Sequence, residues 1–287
     1  MDEYQSIWLA LREVEFTQRF LDVQGVRTRV VTAGSPDKPA LVMLHGTGGH
    51  WEAFSRVLGP LSEHFHCIAY DMVGNGFSAK PDHPYEISVY IDHLLGVLGH
   101  FDIEKASLIG SSLGSWVAAR FALEHPERTD RIVLNSPAGL IANAQNMARI
   151  KRQRTAAVEG GTWESMSAIF DHLIADEHNR IADLIALRLA VYRRPDTKAT
   201  VRHLLALQEA GVRERNLITE DQWRGIRAPA LVVASGKDHA DYTTTARRVL
   251  ELLPHGEALE MPSVGHWAAF EDPDAFVARA IPFLQGK

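Results

Sequence analysis

The amino-acid sequence predicts an α/β fold: a mostly parallel sheet flanked by helices on both faces and interrupted by a helical insertion. Short apolar runs alternate with segments of helical period through the first half of the chain and again near its end. These runs are nearly continuous, as in strands that are buried on both faces. Between the two alternating regions lie amphipathic helical segments without a convincing strand. The three patterns together predict helices packed on both faces of one sheet.

The elements before the insertion follow in a regular order. Residues 16–23 and 26–34 flank Gln24-Gly25 and predict an antiparallel hairpin. After it, each predicted parallel strand is followed by a helix, which is the pattern that covers both faces of a sheet. The predicted strands are ALVMLHG, HCIAYD, KASLIGS and DRIVLNSP, and the helices between them are FSRVLGPLSEHF, ISVYIDHLLGVLGHF and WVAARFALEHP.

The insertion is predicted to cover residues 138–225, after the sixth strand, and the core to comprise residues 1–137 and 226–287. Its helical segments are SAIFDHLI, IADLIALRLAVY and VRHLLALQEA. The core pattern then resumes with strand APALVVAS, helix TTARRVLELLP, strand EALEM and a last helix. An insertion at the carboxyl end of a strand hangs over the edge where open α/β sheets bind ligands, so we interpret it as a lid.

Composition and charge narrow the class of partner. The chain has 287 residues, a net charge of −6 and 23% charged residues, which gives no bias toward nucleic acid. The basic segment MARIKRQR (147–154) is predicted to be a solvated helix face rather than a polyanion site. We therefore expect a small-molecule substrate, with no nucleic-acid or membrane partner; a homo-oligomer stays open.

Cysteine usage and the N-terminus favour a cytoplasmic location. Cys67 is the single cysteine, which excludes an internal disulfide, and its place in an apolar run predicts an inert core thiol. The first residues are acidic and lack the basic-then-apolar order of a signal peptide. The longest uncharged stretch, residues 132–148, is too short and too polar to span a bilayer.

The segment Gly110-Ser111-Ser112-Leu113-Gly114 is the strongest functional signal. It fits G-x-S-x-G with Ser112 at the centre and lies between a predicted strand and a predicted helix. A nucleophile on a sharp turn needs small residues two positions before and after it, because otherwise strand and helix collide. Centring the motif on Ser111 would require glycine where the chain has Ile109 and Leu113. Ser112 is therefore the candidate nucleophile.

A serine hydroxyl needs a base, and the base needs an orienting acid. In this strand-turn-helix context the chain order is Ser, acid, His. Only His266 follows the last predicted strand. Asp238 and Asp241 both follow the preceding strand, and Asp238 is favoured because it lies nearer the strand end. Asn135-Ser136-Pro137, at the other position where such an acid occurs, contains no carboxylate.

The developing oxyanion needs backbone N–H donors that are already in place. Leu113 follows the nucleophile at a helix N-terminus and supplies one donor. The loop after the first parallel strand, HGTGG (45–49), is glycine-rich, so its backbone can approach a ligand closely. The Thr47 N–H is the expected second donor, and Gly48 is expected to contact substrate.

These motifs, in this order, resemble the α/β-hydrolase superfamily over nearly the whole chain. Within it the chain resembles the meta-cleavage-product hydrolases, which split a carbon–carbon bond in 2-hydroxy-6-oxo-hexa-2,4-dienoates. In that family a Trp at the position of Trp267 lines the pocket, and an Arg at the position of Arg188 holds the substrate's carboxylate and enol oxygen. On pattern alone, Trp267 is equally a core aromatic under the last helix. An Arg in the amphipathic helix LIALRLAVYRR is usually a solvated or salt-bridged face residue, so the carboxylate role of Arg188 depends on the resemblance.

Two departures from the family pattern bear on the pocket. Ser111 stands where the family commonly has Asn, and it is expected to contact substrate through its hydroxyl. The glycine-rich loop reads HGTGGHWEAF, without the family's Pro and Asn. The resemblance implies no metal and no cofactor, and the histidines show no H-E-x-x-H spacing.

Three functions stay open on the sequence. The first is serine-dependent hydrolysis of a dienoate C–C bond, and the second is hydrolysis of a carboxylic ester or lactone with the same triad. The third, of another class, is a small-ligand receptor with slow or no turnover on the same scaffold. Dehalogenase and epoxide hydrolase chemistry is excluded, because those enzymes need an Asp nucleophile where Ser112 stands.

Overall fold

The computed structural model describes residues 5–287 and is built around one eight-stranded sheet. The strands are β1 (Phe16–Val23), β2 (Val26–Ala33), β3 (Ala40–Leu44), β4 (His66–Tyr70), β5 (Ala106–Ser111), β6 (Thr129–Asn135), β7 (Ala230–Ser235) and β8 (Gly256–Met261). Their order across the sheet is β1-β2-β4-β3-β5-β6-β7-β8. The signal-peptide prediction rests partly on residues 1–4, which lie outside the described residues.

Helices connect the strands of the core and form the insertion. The core helices are α1 (Ile7–Leu11), α2 (Ser55–Ser62), α3 (Ile87–His100), α4 (Leu113–Glu124), α11 (Ala240–Leu252), α12 (Ala268–Glu271) and α13 (Pro273–Leu284). The inserted helices are α5 (Ala144–Gly160), α6 (Trp163–Phe170), α7 (Ala182–Tyr192), α8 (Pro195–Leu204), α9 (Ala210–Asn216) and α10 (Glu220–Arg224). Among the described residues, no helix combines the length and the apolarity needed to cross a membrane.

The central strands are buried on both faces, as their apolar runs predict. Every residue of β4 and β5 is buried. On β3, Val42 packs into the cluster formed with α3, α4 and α11, whereas Met43 packs into the opposite cluster with α2 and α13. Successive side chains of a strand point to opposite faces, so a strand covered on both faces must be apolar throughout.

The first two strands form the predicted hairpin at one edge of the sheet. They pair from Phe16 with Ala33 to Val23 with Val26. The turn residues Gln24 and Gly25 have φ of 53° and 84°, the left-handed region that glycine adopts most easily. β2 is antiparallel to β4, and all later pairs are parallel. The predicted fold class, a mostly parallel sheet with helices on both faces, is confirmed.

The inserted helices lie between β6 and β7 and cover the carboxyl ends of the central strands. Backbone hydrogen bonds attach the insertion to the core. Tyr85 N–H donates to His203 O over 3.2 Å, and Trp267 N–H donates to Leu173 O over 3.1 Å. A cavity separates the insertion from the strand ends, and its lining comes from both parts. This is the place where the sequence predicts a lid over a ligand site.

Candidate active site

Ser112 lies at the sharp turn from β5 into α4. Its backbone has φ 54° and ψ −112°, a conformation that costs a non-glycine residue about 1–3 kcal/mol. A Cβ on Gly110 would lie 2.3 Å from Gly114 O, and a Cβ on Gly114 would lie 1.9 Å from Leu44 O. Only glycine fits at either position, so the G-x-S-x-G spacing is a steric requirement of this turn.

His266 and Asp238 form a hydrogen-bonded pair beside Ser112. His266 Nδ1 lies 3.0 Å from Asp238 Oδ2 and 3.1 Å from Oδ1. Both side chains are buried, with 6% and 3% of their surfaces exposed. Ser112, Asp238 and His266 all line the same cavity. A carboxylate at Nδ1 orients the imidazole so that Nε2 is the nitrogen free to act as a base.

Three groups hold Asp238 in its charged form. Burial raises the pKa of its carboxyl, but the neighbouring His266, the Ser136 hydroxyl and the His239 N–H lower it by more, so the net direction is down. Ser136 Oγ donates to Oδ2 over 2.7 Å, and His239 N–H donates to Oδ1 over 2.7 Å. Asp241 instead accepts from Asn143 Nδ2 over 3.0 Å. The geometry therefore brings Asp238, and not Asp241, to His266.

The hydroxyl of Ser112 interacts with Tyr242 in this structure. The side chains of Ser112 and Tyr242 are within hydrogen-bonding reach, and the Tyr242 ring packs edge-on against His266 with centroids 4.4 Å apart. Within residues 5–287, no hydrogen bond joins Ser112 Oγ to His266 Nε2. Such catalytic contacts are often long without substrate and tighten when it binds. The sequence motifs do not predict Tyr242 as part of this site.

Two residues next to Ser112 carry backbone N–H groups that lack an acceptor among the described residues. Leu113 is the first residue of α4, where an N–H has no partner within the helix. Thr47 follows β3, and no acceptor within the described chain bonds its N–H. Both residues line the cavity. These are the two donors that the sequence predicts for an oxyanion.

The loop that carries Thr47 is anchored by a buried ion-pair network. Arg29 donates to both carboxylate oxygens of Glu52, over 2.9 and 2.8 Å, and to both of Asp71. Asp71 Oδ1 also accepts from Trp51 N–H over 2.9 Å. Burial raises the pKa of Glu52, but His50 and Arg29 lower it to about 2, so the carboxylate stays charged. A loop held this firmly can keep a backbone donor in place before substrate arrives.

Arg188 and Trp267 form the lid side of the cavity. The Arg188 side chain, on α7, is 1% exposed, and its guanidinium lies 4.8 Å from the Phe170 ring and 5.6 Å from the Trp267 ring. Burial, and next the charge of Arg154, lower the pKa of Arg188 to about 9, which leaves it cationic at neutral pH. Trp267 both lines the cavity and packs edge-on against Phe170. Arg188 is thus not on a solvated helix face.

Two predicted substrate contacts do not fit the geometry. The Gly48 N–H donates to Asn75 Oδ1 over 2.8 Å, and Gly48 lies outside the cavity lining. Its φ is 66°, and a Cβ there would lie 2.3 Å from the Tyr192 hydroxyl oxygen, so glycine is needed for the turn itself. Ser111 also lies outside the lining, and its Oγ accepts from Asn135 Nδ2 over 3.0 Å.

The prediction for the basic segment 147–154 is wrong in part. Lys151 and Arg152 are exposed, as expected for a solvated face. Arg154, however, is only 7% exposed and lines the cavity. It is seven residues after buried Met147 and four after Ile150, so helical spacing places all three on the inward face of α5. That spacing is the signal that could have identified Arg154.

The comparisons with known proteins agree with this geometry. A family model for the alpha/beta hydrolase fold matches residues 39–273. The 2-hydroxy-6-oxo-6-(2'-aminophenyl)hexa-2,4-dienoic acid hydrolase of Metapseudomonas resinovorans is 28% identical over 282 residues, which cover 95% of this chain and 92% of the relative. The 3-oxoadipate enol-lactonase 2 of Acinetobacter baylyi is 25% identical over 257 residues, covering 89% and 92%.

A solved structure gives the same result for the fold. The 2-hydroxy-6-oxo-6-phenylhexa-2,4-dienoate hydrolase from Rhodococcus sp. strain RHA1 superposes with a TM-score of 0.83 at 25% identity, covering 96% of this chain and all of that one. The resemblance to meta-cleavage-product hydrolases is thereby confirmed. Because the family model matches more than half of its residues, this chain belongs to the α/β-hydrolase fold family.

Proposed function

We propose that this chain is a serine-dependent hydrolase that cleaves a C–C bond in a 2-hydroxy-6-oxo-hexa-2,4-dienoate. The observation that carries the proposal is the buried guanidinium of Arg188 beside the Ser112 cavity, without a carboxylate partner among the described residues. A buried cation of this kind suits a substrate that brings its own carboxylate. Relatives of this activity match the chain over more than nine-tenths of its length.

The cavity residues can carry out the reaction in sequence. Arg188 binds the carboxylate end and favours the keto tautomer of the dienol. His266 accepts the Ser112 proton, and Ser112 Oγ attacks the 6-oxo carbonyl while the Thr47 and Leu113 N–H groups stabilise the oxyanion. When the tetrahedral intermediate collapses, the C5–C6 electron pair leaves with the fragment as a dienolate, and His266 returns its proton to that fragment to give the dienol. Water, activated by His266, then hydrolyses the acyl-serine and restores the hydroxyl.

Asp238 acts through His266 in this scheme. Its lowered pKa keeps it a carboxylate, which holds the Nδ1–H tautomer and stabilises the imidazolium that forms during attack. The Ser136 hydroxyl and the His239 N–H satisfy the carboxylate oxygens as well, so the acid is fixed before substrate binds. The chemistry uses no metal or organic cofactor in this scheme.

An ester or lactone hydrolase is the second candidate function, because the enol-lactonase relative also matches most of the chain. The two candidates use the same nucleophile and oxyanion donors, and they differ in what the lid must bind. A dienoate needs a cation for its carboxylate, whereas an uncharged ester does not. Arg188 is therefore the residue that separates them.

The test is a spectrophotometric screen of coloured dienoates beside p-nitrophenyl esters. We expect wild-type protein to bleach dienoates and Ser112→Ala to lose this turnover. Arg188→Gln removes a buried charge contact on the order of 2–5 kcal/mol, so kcat/KM for dienoates should fall roughly a hundredfold or more. An uncharged ester should lose little.

Other outcomes would change the assignment. Equal losses for both substrates would mean that Arg188 holds the lid, and no loss for either would favour the esterase. Failure to turn over any dienoate or ester, while a fluorophosphonate still labels Ser112, would leave the receptor function of the third alternative.

A further inference from the structure

Arg188 has a second buried arginine beside it in the lid. Arg154 on α5 is 7% exposed and Arg188 on α7 is 1% exposed, and both line the cavity that contains Ser112. The two charges interact, because the presence of Arg154 contributes to lowering the pKa of Arg188. The two guanidinium groups therefore belong to the same end of the cavity.

Neither arginine has a counter-ion in the described chain. Arg188 Nε and Nη1 and Arg154 Nη1 are buried without a hydrogen-bond partner. Arg29, another buried arginine, shows the ordinary arrangement: its guanidinium is bonded to Glu52 and Asp71. A desolvated charge without a partner costs several kcal/mol, and a second like charge next to it adds repulsion.

The rest of the cavity does not balance these charges. Four arginines and two aspartates line it. Of the aspartates, Asp238 is bonded to His266, and Asp241 to Asn143. Among these six residues the positive charges exceed the negative charges by two. The excess charge faces the cavity, where a bound ligand can neutralise it.

We propose that Arg154 and Arg188 together form a dianion site, which binds a carboxylate and a second oxyanion on the adjacent carbon. The inference rests on the proposed function only for the position of Ser112 at the reacting end of the substrate. A substrate with a single carboxylate neutralises one guanidinium and leaves the other buried and unpaired. Arg154 is therefore the residue that selects for the second negative charge.

Two chemical sources supply such a dianion. One is a pair of adjacent carboxylates. The other is a 2-hydroxy-dienoate whose enol O–H gives its proton to solvent, so that the oxygen at C2 carries the second charge beside the C1 carboxylate. In both cases two oxyanions lie close together and match two guanidinium groups from two helices of the lid.

The first experiment measures binding of oxalate and pyruvate to wild-type protein by calorimetry at constant ionic strength. The two probes are of similar size, but oxalate carries two adjacent negative charges and pyruvate one. We expect oxalate to bind at least tenfold more tightly, and Arg154→Gln to remove this preference while pyruvate affinity changes less than threefold. Arg152→Gln, on the exposed side of α5, is the matched control and should keep the preference.

A second measurement separates a binding role from a structural one. Removing an unpaired, repelling charge should stabilise the ligand-free protein, so Arg154→Gln should raise Tm by about 2–4 °C. It should also abolish the further rise in Tm that oxalate gives the wild type. A fall in Tm, or equal binding of oxalate and pyruvate by the wild type, would overturn the proposal.

The source of the second charge is tested with Ser112→Ala, which binds without turnover. If the enolate oxygen supplies the charge, blocking it as the 2-O-methyl ether should weaken binding. The loss of affinity should equal the loss that the Arg154→Gln substitution causes for the unmodified dienoate. If adjacent carboxylates supply it, the two should bind alike while oxalate still prefers the wild type over Arg154→Gln. Oxalate binding does not depend on dienoate cleavage, so failure of the proposed function would leave this result standing.

Discussion

Replacing Asp238 by Asn tests how the acid supports the base. The His239 N–H donates to Asp238 Oδ1 over 2.7 Å, so an Asn side chain would place its carbonyl oxygen there. Its NH₂ group would then occupy the position of Oδ2, which lies 3.0 Å from His266 Nδ1. A donor at that position forces Nδ1 to accept and puts the proton on Nε2. His266 could then no longer take the proton from Ser112.

The magnitude follows from the same geometry. The wrong histidine tautomer costs roughly 10⁴ in kcat in a Ser-His-Asp triad, which is about 5.5 kcal/mol. The loss should appear in kcat, because substrate binding uses the lid and not Asp238. Asp241→Asn is the matched control, since Asp241 bonds Asn143 and not His266. We expect Asp241→Asn to change kcat by less than tenfold.

The assay compares kcat for both variants on one coloured substrate, with circular dichroism to establish that each is folded. Comparable losses for Asp238→Asn and Asp241→Asn would refute the assignment of the acid. A folded Asp238→Asn protein that retains a tenth of wild-type kcat would show that His266 needs no acid to set its tautomer.

Two further predictions concern the nucleophile and acid stability. Ser112→Ala should reduce kcat by about 10⁴-fold or more, while Ser111→Ala should keep most of the wild-type kcat; reversed effects of the two serines would exclude Ser112 as the nucleophile. Ser112→Gly should also raise the free energy of unfolding by about 1–3 kcal/mol, because the φ of Ser112 is 54° and glycine adopts this value without strain. Burial lowers the pKa of His45 and His93 from 6.5 to about 4, so their contribution to stability is complete above pH 6.5 and is lost as the pH falls toward 4. Urea unfolding should show a slope of about 1.4 kcal/mol per pH unit for each histidine in this window. His93→Gln should lower that slope by about 1.4 kcal/mol per pH unit, and an unchanged slope would contradict this origin.

The acid sensitivity has a structural cause beyond burial. His93 Nδ1 accepts from Val73 N–H over 2.9 Å, and His45 Nε2 accepts from Met72 N–H over 3.0 Å. A protonated imidazole has no acceptor nitrogen, so charging either ring breaks one of these bonds. The two histidines thus connect the glycine-rich loop and α3 to the loop after β4.

The core and the reacting residues could be predicted because burial and tight backbone turns restrict which residue types can occupy a position. A strand buried on both faces must be apolar throughout, and β3 to β6 therefore appear as apolar runs. The turn at Ser112 excludes any Cβ at Gly110 and Gly114, so the motif is visible as glycines. The order of Ser112, Asp238 and His266 follows from the order of the strands that carry them.

The lid pocket was harder to predict because a charged residue type suggests exposure. The basic run predicts a solvated face for Arg154, as for its exposed neighbours Lys151 and Arg152, although its spacing from Met147 places it inward. That prediction gives more weight to the charge of Arg154 than to its position on the helix. In a helix that covers a ligand cavity, the position of a charged residue determines whether it is buried, because a ligand can replace water as the partner of an inward-facing charge.

The end of β6 shows why part of the site leaves no trace in the sequence. The absence of a carboxylate at Asn135-Ser136 pointed to Asp238, but it did not show what these residues contribute. Asn135 Nδ2 donates to His266 O over 2.9 Å, and Ser136 Oγ lies 2.7 Å from Asp238 Oδ2. Ser136 makes this contact with a φ of 49°, which is a strained backbone conformation for serine and is not predicted by any residue pattern. Two serines of this site, Ser112 and Ser136, thus hold left-handed backbones, and the strain at Ser136 serves to position the acid that the neighbouring strand supplies.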